Sequence, residues 1–322
     1  GPAGLAAAQQ LCRWGHDVTV FEKQDRIGGL LRYGIPAFKL EPAVIDRRLK
    51  QMIAEGVDFQ TGVHVGYDIS ARYLKNQFDA VLLALGCEQQ RDLNVPGREG
   101  ASNVHFAMPY LVQQNKVVHG DTFPDHERIT AKDKTVIVIG GGDTGSDCVG
   151  TAIRQGAREV HQFQYHAVPP ETVPPETPWP EWPHILRTST SHEEGCERHW
   201  GVLTKELVRD GDRVTHLRAV EVQWDYSGGK RQMTELPGTD FTLKVDLVLL
   251  AIGFAHVVQP GLVKDLGLAL TKRGNIQIDK HYRTSEEGFF AAGDAQMGAK
   301  LVVNAIDDGR MAAESIHNWL TA

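Results

Sequence analysis

The chain has 322 residues, 41% of them hydrophobic, and its 34 Lys and Arg against 41 Asp and Glu give a net charge of −7. A nucleic-acid binder neutralises phosphates with an excess of basic residues, so this balance argues against nucleic acid and against an anionic membrane surface as partners. The four cysteines lie far apart without a CxxC pair, which excludes a disulfide scaffold, a zinc ribbon and an iron–sulfur site formed by this chain alone.

The N-terminal part of the chain is predicted to alternate between helices and strands. Leu5, Ala8 and Leu11 recur at helical spacing, which predicts a helix over 4–14 that ends at Gly15. The next predicted elements are a strand over 16–21, a glycine-containing loop over 28–36, an amphipathic helix over 42–55, and strands over 57–65 and 78–85.

The rest of the chain repeats this alternation and adds an antiparallel segment. The run TVIVI over 135–139 is continuously apolar, as strands of a parallel sheet are when both faces are buried. After it we predict a helix to about residue 155, a strand over 160–165, a proline-rich loop over 167–183, a meander over 214–224 and 241–245, a strand over 245–251, a short strand and turn over 289–294, and a helix over 302–320. The pattern indicates an α/β protein, and its length favours two domains.

A G-x-G-x-x-G motif joins the strand at 135–139 to the following helix through Gly140, Gly142 and Gly145. In dinucleotide-binding folds, the first glycine makes a tight turn, the second lets the backbone approach pyrophosphate, and the third allows close helix–strand packing. The N-terminus of the helix adds N–H groups and partial positive charge. The alternative is an ordinary strand–helix turn in which the glycines serve packing alone.

An incomplete copy of this motif opens the chain. Gly1 and Gly4 occupy the second and third glycine positions, and the first glycine and its strand would lie upstream of residue 1. Glu22 follows the next strand, where a carboxylate accepts the ribose hydroxyls of a bound nucleotide. A solvated strand end is the alternative interpretation of Glu22.

The position comparable to Glu22 in the second copy is Gln164, which carries no charge. A carboxylate there would repel the 2′-phosphate of NADP. Its absence, with Arg158, His166 and Arg187 within plausible reach, favours NADPH over NADH. The alternative is that these basic side chains are simply solvated.

Membrane, export and metal signals are not found in the sequence. No apolar run approaches the ~20 residues of a membrane-spanning helix, and no signal peptide is visible, so we expect a cytoplasmic protein. His192-Glu193-Glu194 lacks the second histidine of a zinc-binding helix, and no metal site is predicted.

Six stretches are more specific than the glycine turns, and they span almost the whole chain: GPAGLAAAQQL, GGLLRYGIPAFKL, VIGGGDTGSD, PWPEWPHILRTSTSHEEGCERHW, LLAIGF and GFFAAGDA. Together they resemble the small (beta) subunit family of NADPH-dependent glutamate synthases, flavoproteins of the pyridine nucleotide–disulfide reductase type that lack the redox disulfide. The resemblance implies two Rossmann-like domains, the second inserted into the first. FAD would bind a domain formed by 1–100 and 255–322, and NADPH a domain formed by 101–254.

The resemblance also implies which residues contact the cofactors. The FAD contacts would be Gly1, Gly4, Glu22, Gly29, Leu30, Gly86, Asp294 and Val302. The NADPH contacts would be Gly140, Gly142, Asp143, Thr144, Gly145, Arg187 and Gly253. The helix that starts at Val302 would face the flavin pyrimidine and stabilise the negative charge of reduced flavin. Two positions depart from the family: Asn304 stands where a large aromatic residue is expected, and Gln164 stands where relatives can carry Glu.

The implied reaction is hydride transfer from NADPH to FAD. Electrons would then leave singly through iron–sulfur clusters to a large (alpha) subunit that forms glutamate. The clusters would lie in a cysteine-rich domain that the family carries before the FAD turn and that this chain lacks. Two alternatives stay open. One is a related electron-input module of a dihydropyrimidine dehydrogenase or a ferredoxin–NADP transhydrogenase, and the other is a nucleotide-binding assembly subunit without turnover.

Overall fold

A computed structural model describes residues 1–175, 177, 185–225 and 232–322. The chain divides into two compact units. The split unit comprises Gly1–Arg91 and Phe254–Ala322, and the inserted unit comprises Asp92–Gly253. Part of the predicted proline-rich loop over 167–183 lies outside the described residues, as does part of the motif that begins at Pro178.

Helices and strands alternate along much of the chain. The helices are α1 Pro2–Arg13, α2 Leu30–Tyr33, α3 Pro42–Glu55, α4 Ala71–Gln77, α5 Ala107–Val118, α6 Asp143–Arg154, α7 Thr190–Glu193, α8 Leu262–Asp265, α9 Asp294–Met297 and α10 Val302–Thr321. The strands are β1 Thr19–Glu22, β2 Asp58–Thr61, β3 Val81–Leu83, β4 Gln89–Gln90, β5 Val104–Phe106, β6 Thr135–Ile139, β7 Glu159–Gln164, β8 Glu197–Trp200, β9 Val202–Asp210, β10 Arg213–Asp225, β11 Gln232–Glu235, β12 Phe241–Lys244, β13 Leu247–Leu250, β14 Phe254–His256 and β15 Phe289–Ala291.

A parallel sheet with strand order β5-β13-β6-β7-β8 forms the centre of the inserted unit. Every residue of β6 is buried, because its side chains alternate between two apolar layers. Val136 and Val138 pack with residues of α5 and α6. Ile137 and Ile139 pack on the other face with residues of β9 and β10. The sheet is therefore covered by helices on one side and by antiparallel strands on the other.

The predicted meander is confirmed as an antiparallel sheet in which β10 pairs with β9, β11 and β12. Asn103, which precedes β5, links this sheet to the parallel one through side-chain hydrogen bonds. Its buried amide donates to the carbonyls of Val214 and Asp246, at 2.8 and 3.0 Å, and accepts from the N–H of Val214 at 2.8 Å. Every polar atom of this side chain is thus paired, as a buried amide requires.

Parallel strands and two packed helices form the split unit. β1 pairs with β2, and β15 pairs with β3, both in parallel. α1 packs against α10 where a Cβ on Gly309 would lie 2.2 Å from the carbonyl oxygen of Ala3. A side chain at Gly309 would therefore force the two helices apart.

Several helical segments differ from the sequence prediction or were missed by it, α7 and α8 among them. The predicted loop over 28–36 contains the single helical turn α2, and neither α4 nor α5 was predicted. α1 starts at Pro2 rather than at residue 4, because proline suits the first turn of a helix. In the part of the chain that the structure describes, no helix is long and apolar enough to cross a membrane.

Candidate functional site

The three glycines of the turn after β6 have three different surroundings. Gly140 has φ +128°, and a Cβ there would lie 2.1 Å from the carbonyl oxygen of Ala251. A Cβ on Gly145 would lie 2.3 Å from the carbonyl oxygen of Gly140, so only glycine lets α6 approach the turn this closely. A Cβ on Gly142 would meet no atom within 4 Å. The first and third glycines therefore serve the turn and the packing, while the second faces open space.

The open glycine is also the N-cap of α6. Gly142 and Asp143 are exposed, and Thr144 is half-buried. The first N–H groups of α6 have no partner within the helix, and the helix dipole adds partial positive charge at this end. These exposed backbone groups can bind an anionic phosphate without a basic side chain.

Gln164 lies over this turn, at the carboxyl end of β7. A Cβ on Gly141 would fall 1.9 Å from the side-chain oxygen Oε1 of Gln164. A side chain at position 141 would therefore have to displace the flexible end of Gln164. The side chain at position 164 is close enough to the turn to contact a nucleotide that binds there.

A hydrogen-bonded chain of side chains, which the sequence did not reveal, supports the same turn. The N–H of Ser189 donates to His192 Nδ1 at 3.1 Å, so His192 Nε2 carries the proton and donates to Gln162 Oε1 at 2.9 Å. Gln162 Nε2 then donates to the carbonyl oxygen of Gly140 at 2.9 Å. The hydroxyl of Ser189 also contacts that of Ser146 on α6, at 2.5 Å. The segment RTSTSH over 187–192, part of one of the six family stretches, thus supports both the turn and the helix α6 that follows it.

Of the other predicted residues of the inserted unit, Gly253 and Arg187 are close in sequence to residues that support the turn, whereas Arg158 is remote from it. Gly253 lies two residues after Ala251, whose carbonyl contacts Gly140, and Arg187 lies two residues before Ser189. The expectation that Arg158 lies within reach of a 2′-phosphate is wrong. Arg158 precedes β7 and forms an ion pair of 2.7 Å with Asp246. It is at the opposite end of the sheet from the turn, a strand length of about 17 Å away.

In the split unit, three predicted residues follow the carboxyl ends of parallel strands. Glu22 ends β1, Gly86 follows β3, and Asp294 follows β15. Ligands of open α/β sheets bind at this edge. Glu22 Oε1 accepts a hydrogen bond of 3.0 Å from the N–H of Gln24, which holds the carboxylate at the end of its strand.

The predicted glycines of the split unit allow close backbone contacts. Gly29 has φ +54°, and a Cβ there would lie 2.7 Å from the Cα of Gly1. A Cβ on Gly4 would lie 3.2 Å from the Cβ of Ala84, which follows β3. The start of α1 therefore packs directly against the loop before α2 and against the end of β3.

Asp294 starts a short helix beside a second carboxylate, Asp308. Burial, and then the charge of Asp308, raise the pKa of Asp294 to about 6, although the N–H of Lys300 opposes them. Asp308 itself is buried and accepts hydrogen bonds from the N–H of Gly293 at 2.6 Å and from the amide of Gln296. Asp308 thereby fixes the loop that presents Asp294.

Apolar side chains are exposed at the predicted flavin contacts. Leu30 and Val302 are 38% and 37% exposed, and Val303 is 64% exposed. Apolar surface gains free energy when a ligand removes it from water. Asn304, the departure from the family, is exposed in the same first turn of α10.

The cysteines do not form a redox pair, since all four are free. Burial raises the pKa of Cys196 to about 11, and Arg198 only partly opposes this shift. The thiol is therefore protonated and a poor nucleophile near neutral pH.

Comparison with known proteins places these features in a family. A family model for pyridine nucleotide-disulphide oxidoreductases matches residues 1–309. The chain is 51% identical to the glutamate synthase [NADPH] small chain of Mycobacterium tuberculosis and 43% identical to that of Bacillus subtilis, and each alignment covers 99% of this chain. It spans 65% and 66% of the length of these relatives.

Among solved structures, FprA of Mycobacterium tuberculosis in complex with NADPH has a TM-score of 0.76 at 16% identity, with 100% of this chain and 83% of FprA covered. A likeness at this identity concerns the fold alone. With the family match, it confirms the predicted α/β fold class with two Rossmann-like domains.

Proposed function

The chain belongs to the pyridine nucleotide-disulphide oxidoreductase family, and on this basis we propose that it is the electron-input part of a glutamate synthase, binding FAD in the split unit and NADPH in the inserted unit. The observation that carries the proposal is the turn at Gly140, Gly142 and Gly145. Each glycine there has the surroundings that the dinucleotide motif requires of its position, with the second one open to a ligand.

NADPH binding would use the backbone of the inserted unit. The N–H groups at Gly142, Asp143 and Thr144 would donate to the pyrophosphate at the N-terminus of α6. Gln164 would lie beside the adenosine ribose, where a neutral amide tolerates the 2′-phosphate that a carboxylate would repel. Arg187 is a candidate for a counter-charge to that phosphate, because its segment leads into the braced Ser189.

FAD binding would use the carboxyl edge of the strands in the split unit. Glu22 would accept the ribose hydroxyls, and the start of α1 would bind pyrophosphate. Asp294 would contact the ribityl–pyrophosphate region. The N-terminus of α10 would place its partial positive charge beside the ring system, and Leu30 and Val302 would cover apolar ring surface.

When bound, the two cofactors supply the redox chemistry between them. The residues of this chain would bind and orient the cofactors and stabilise charge. No acid–base residue is assigned to the hydride step, and Cys196 is unsuited to redox exchange because its thiol is protonated.

The electron acceptor is proposed from the relatives. Both small chains named above are glutamate synthase components and are longer than this chain. We propose that electrons pass through iron–sulfur clusters held outside this chain to a glutamate synthase large subunit. The four separated, free cysteines support an external location for the clusters.

An absorption spectrum of the purified protein tests the proposal. We expect flavin bands that bleach when NADPH is added under anaerobic conditions. Absence of flavin bands after reconstitution with FAD, or flavin that NADPH does not bleach, would overturn the proposed input role and would favour a nucleotide-binding subunit without turnover.

The choice of acceptor needs a separate measurement. Reduced protein should pass electrons to a glutamate synthase large subunit supplied with its iron–sulfur domain, and glutamate should form from 2-oxoglutarate and glutamine. Bleaching by NADPH without glutamate formation in this assay would instead support a related electron-input module with a different partner.

A further inference from the structure

Three side chains with metal-binding atoms meet at the edge of the parallel sheet in the inserted unit. His161 lies on β7, and Glu197 and His199 lie on the edge strand β8. The strand register pairs His161 with Glu197 and Phe163 with His199. Because side chains alternate between the faces of a strand, His161, Glu197 and His199 emerge on the same face.

The three candidate ligand atoms form a small triangle. His161 Nδ1 lies 3.3 Å from His199 Nε2 and 3.3 Å from Glu197 Oε2. His199 Nε2 lies 3.8 Å from Glu197 Oε2. In a tetrahedral zinc site with bonds of about 2.0–2.1 Å, two ligand atoms lie about 3.3 Å apart. The triangle is therefore close to the size that one metal ion requires.

The other nitrogen of His161 faces a second carboxylate. His161 Nε2 lies 4.0 Å from Glu159 Oε2, an oxygen that also accepts a hydrogen bond of 3.3 Å from the hydroxyl of Thr135. Metal-binding histidines commonly direct their second nitrogen at a carboxylate, which places the proton there and leaves the first nitrogen free to bind. At 4.0 Å this pair is longer than a hydrogen bond, so Glu159 acts on the imidazole through its negative charge, which favours a proton on Nε2 and leaves Nδ1 free to bind.

The surroundings suit a cation that enters from solvent. The side chain of Glu197 is 73% exposed, which leaves one side of the triangle open to water and ions. Across the described ranges, no other group of three His, Cys, Asp or Glu side chains brings its ligand atoms this close together.

We propose that His161, Glu197 and His199 form a binding site for a divalent transition-metal ion of the zinc class, with water completing the coordination. Two imidazoles and one carboxylate are ligands that zinc accepts. The bound ion would join β8 to β7. Since β8 follows α7, it would also hold in place the segment from which His192 contacts Gln162.

Zinc titration of the full chain without an affinity tag tests the site. In competition with a chromophoric chelator, we expect one tightly bound zinc per chain and a rise in Tm of about 5 °C at saturating zinc. His161→Gln, His199→Gln and Glu197→Gln should each weaken zinc binding by about 100-fold, and Glu159→Gln by about 10-fold. Glu197→Gln changes an exposed side chain, so its result does not depend on refolding of the core.

A second histidine pair provides the matched control. His16 Nε2 lies 2.9 Å from His317 Nδ1 in the split unit. His16→Gln should leave the zinc affinity unchanged. The proposal is overturned if Glu197→Gln and His199→Gln bind zinc as tightly as the natural chain, or if His16→Gln abolishes the tight site.

Discussion

The side-chain amide of Gln162 donates a hydrogen bond of 2.9 Å to the carbonyl oxygen of Gly140. His192 fixes the orientation of that amide by donating to its oxygen. The backbone of the glycine turn is therefore held by Gln162, and the orientation of Gln162 depends on His192, which lies much later in the chain. This relationship gives Ser189 and His192 of the RTSTSH segment a structural role in supporting the turn.

Removing His192 should loosen the turn. His192→Ala leaves the oxygen of a fully buried amide without its donor, which costs about 1–3 kcal/mol of unfolding free energy. We expect lower stability in urea and weaker NADPH binding, with flavin absorbance retained. His216→Ala, an exposed histidine on β10, is the control. Unchanged NADPH affinity in His192→Ala would show that NADPH binding does not depend on the hydrogen bond from His192 to Gln162.

The three glycines of the turn should respond differently to alanine. Gly142→Ala adds a methyl group to open space at φ −81°, so the protein should fold normally while NADPH affinity falls by about tenfold. Gly145→Ala places a methyl 2.3 Å from the carbonyl oxygen of Gly140 and should lower Tm markedly. Thermal unfolding and NADPH titration of both variants separate these effects. Equal NADPH binding by Gly142→Ala and the natural chain would contradict a phosphate site at this turn.

Position 164 should set the nucleotide preference. Gln164→Glu places a carboxylate beside the turn, and its repulsion of the 2′-phosphate should weaken NADPH binding by about tenfold or more while affecting NADH less. The ratio of kcat/KM values for the two nucleotides measures this change. Gln223→Glu introduces the same charge at an exposed site on β10 and should leave the ratio unaltered. A ratio that does not move in Gln164→Glu would refute the role given to this residue.

Asp294 should make the nucleotide-free protein less stable as pH rises. Its pKa of about 6 in the folded chain exceeds the value of 3.8 for a free carboxyl, so the folded state binds the proton more tightly than the unfolded state does. The free energy of unfolding therefore falls as pH rises from 4 to 6. Between pH 4 and pH 7, the unfolding free energy of Asp294→Asn should therefore rise by about 2 kcal/mol relative to that of the natural chain.

Asp279→Asn provides a control of opposite sign for this titration. Although burial raises it, the N–H groups of Arg283 and His281 hold the pKa of Asp279 below its usual value. Its stabilising effect is present above the unfolded pKa and is lost as pH falls. Asp279→Asn should thus be less stable than the natural chain at pH 7, with a smaller difference in acid. Parallel pH profiles for Asp294→Asn and the natural chain would contradict the assignment to Asp294.

The elements with strong local patterns could be predicted from the sequence. The apolar run of β6 and the amphipathic helix α3 have the predicted bounds, because an unbroken apolar strand and a helix between proline and glycine carry their own signals. The single turn α2 was predicted as loop, since four residues between glycines show no periodicity.

Contacts between distant residues could not be predicted in this way. His192 and Gln162 are 30 positions apart, and His161 and His199 are 38 apart. Neither separation matches a short motif, and only the register of β7 against β8 brings the second pair together. Arg158 shows the converse error: it is near Gln164 in the sequence, but the strand between them carries it to the far end of the sheet.

The packing of α1 against α10 has a consequence for synthesis on the ribosome. The contact between Ala3 and Gly309 joins helices from opposite ends of the chain, whereas the inserted unit is continuous in sequence. At a translation rate of about 5–20 residues per second, the inserted unit can fold while α10 is still being made. The roughly 290 residues between α1 and α10 take about 15–60 s to synthesise at this rate, so the apolar face of α1 stays without its partner helix for that time and is open to chaperone binding.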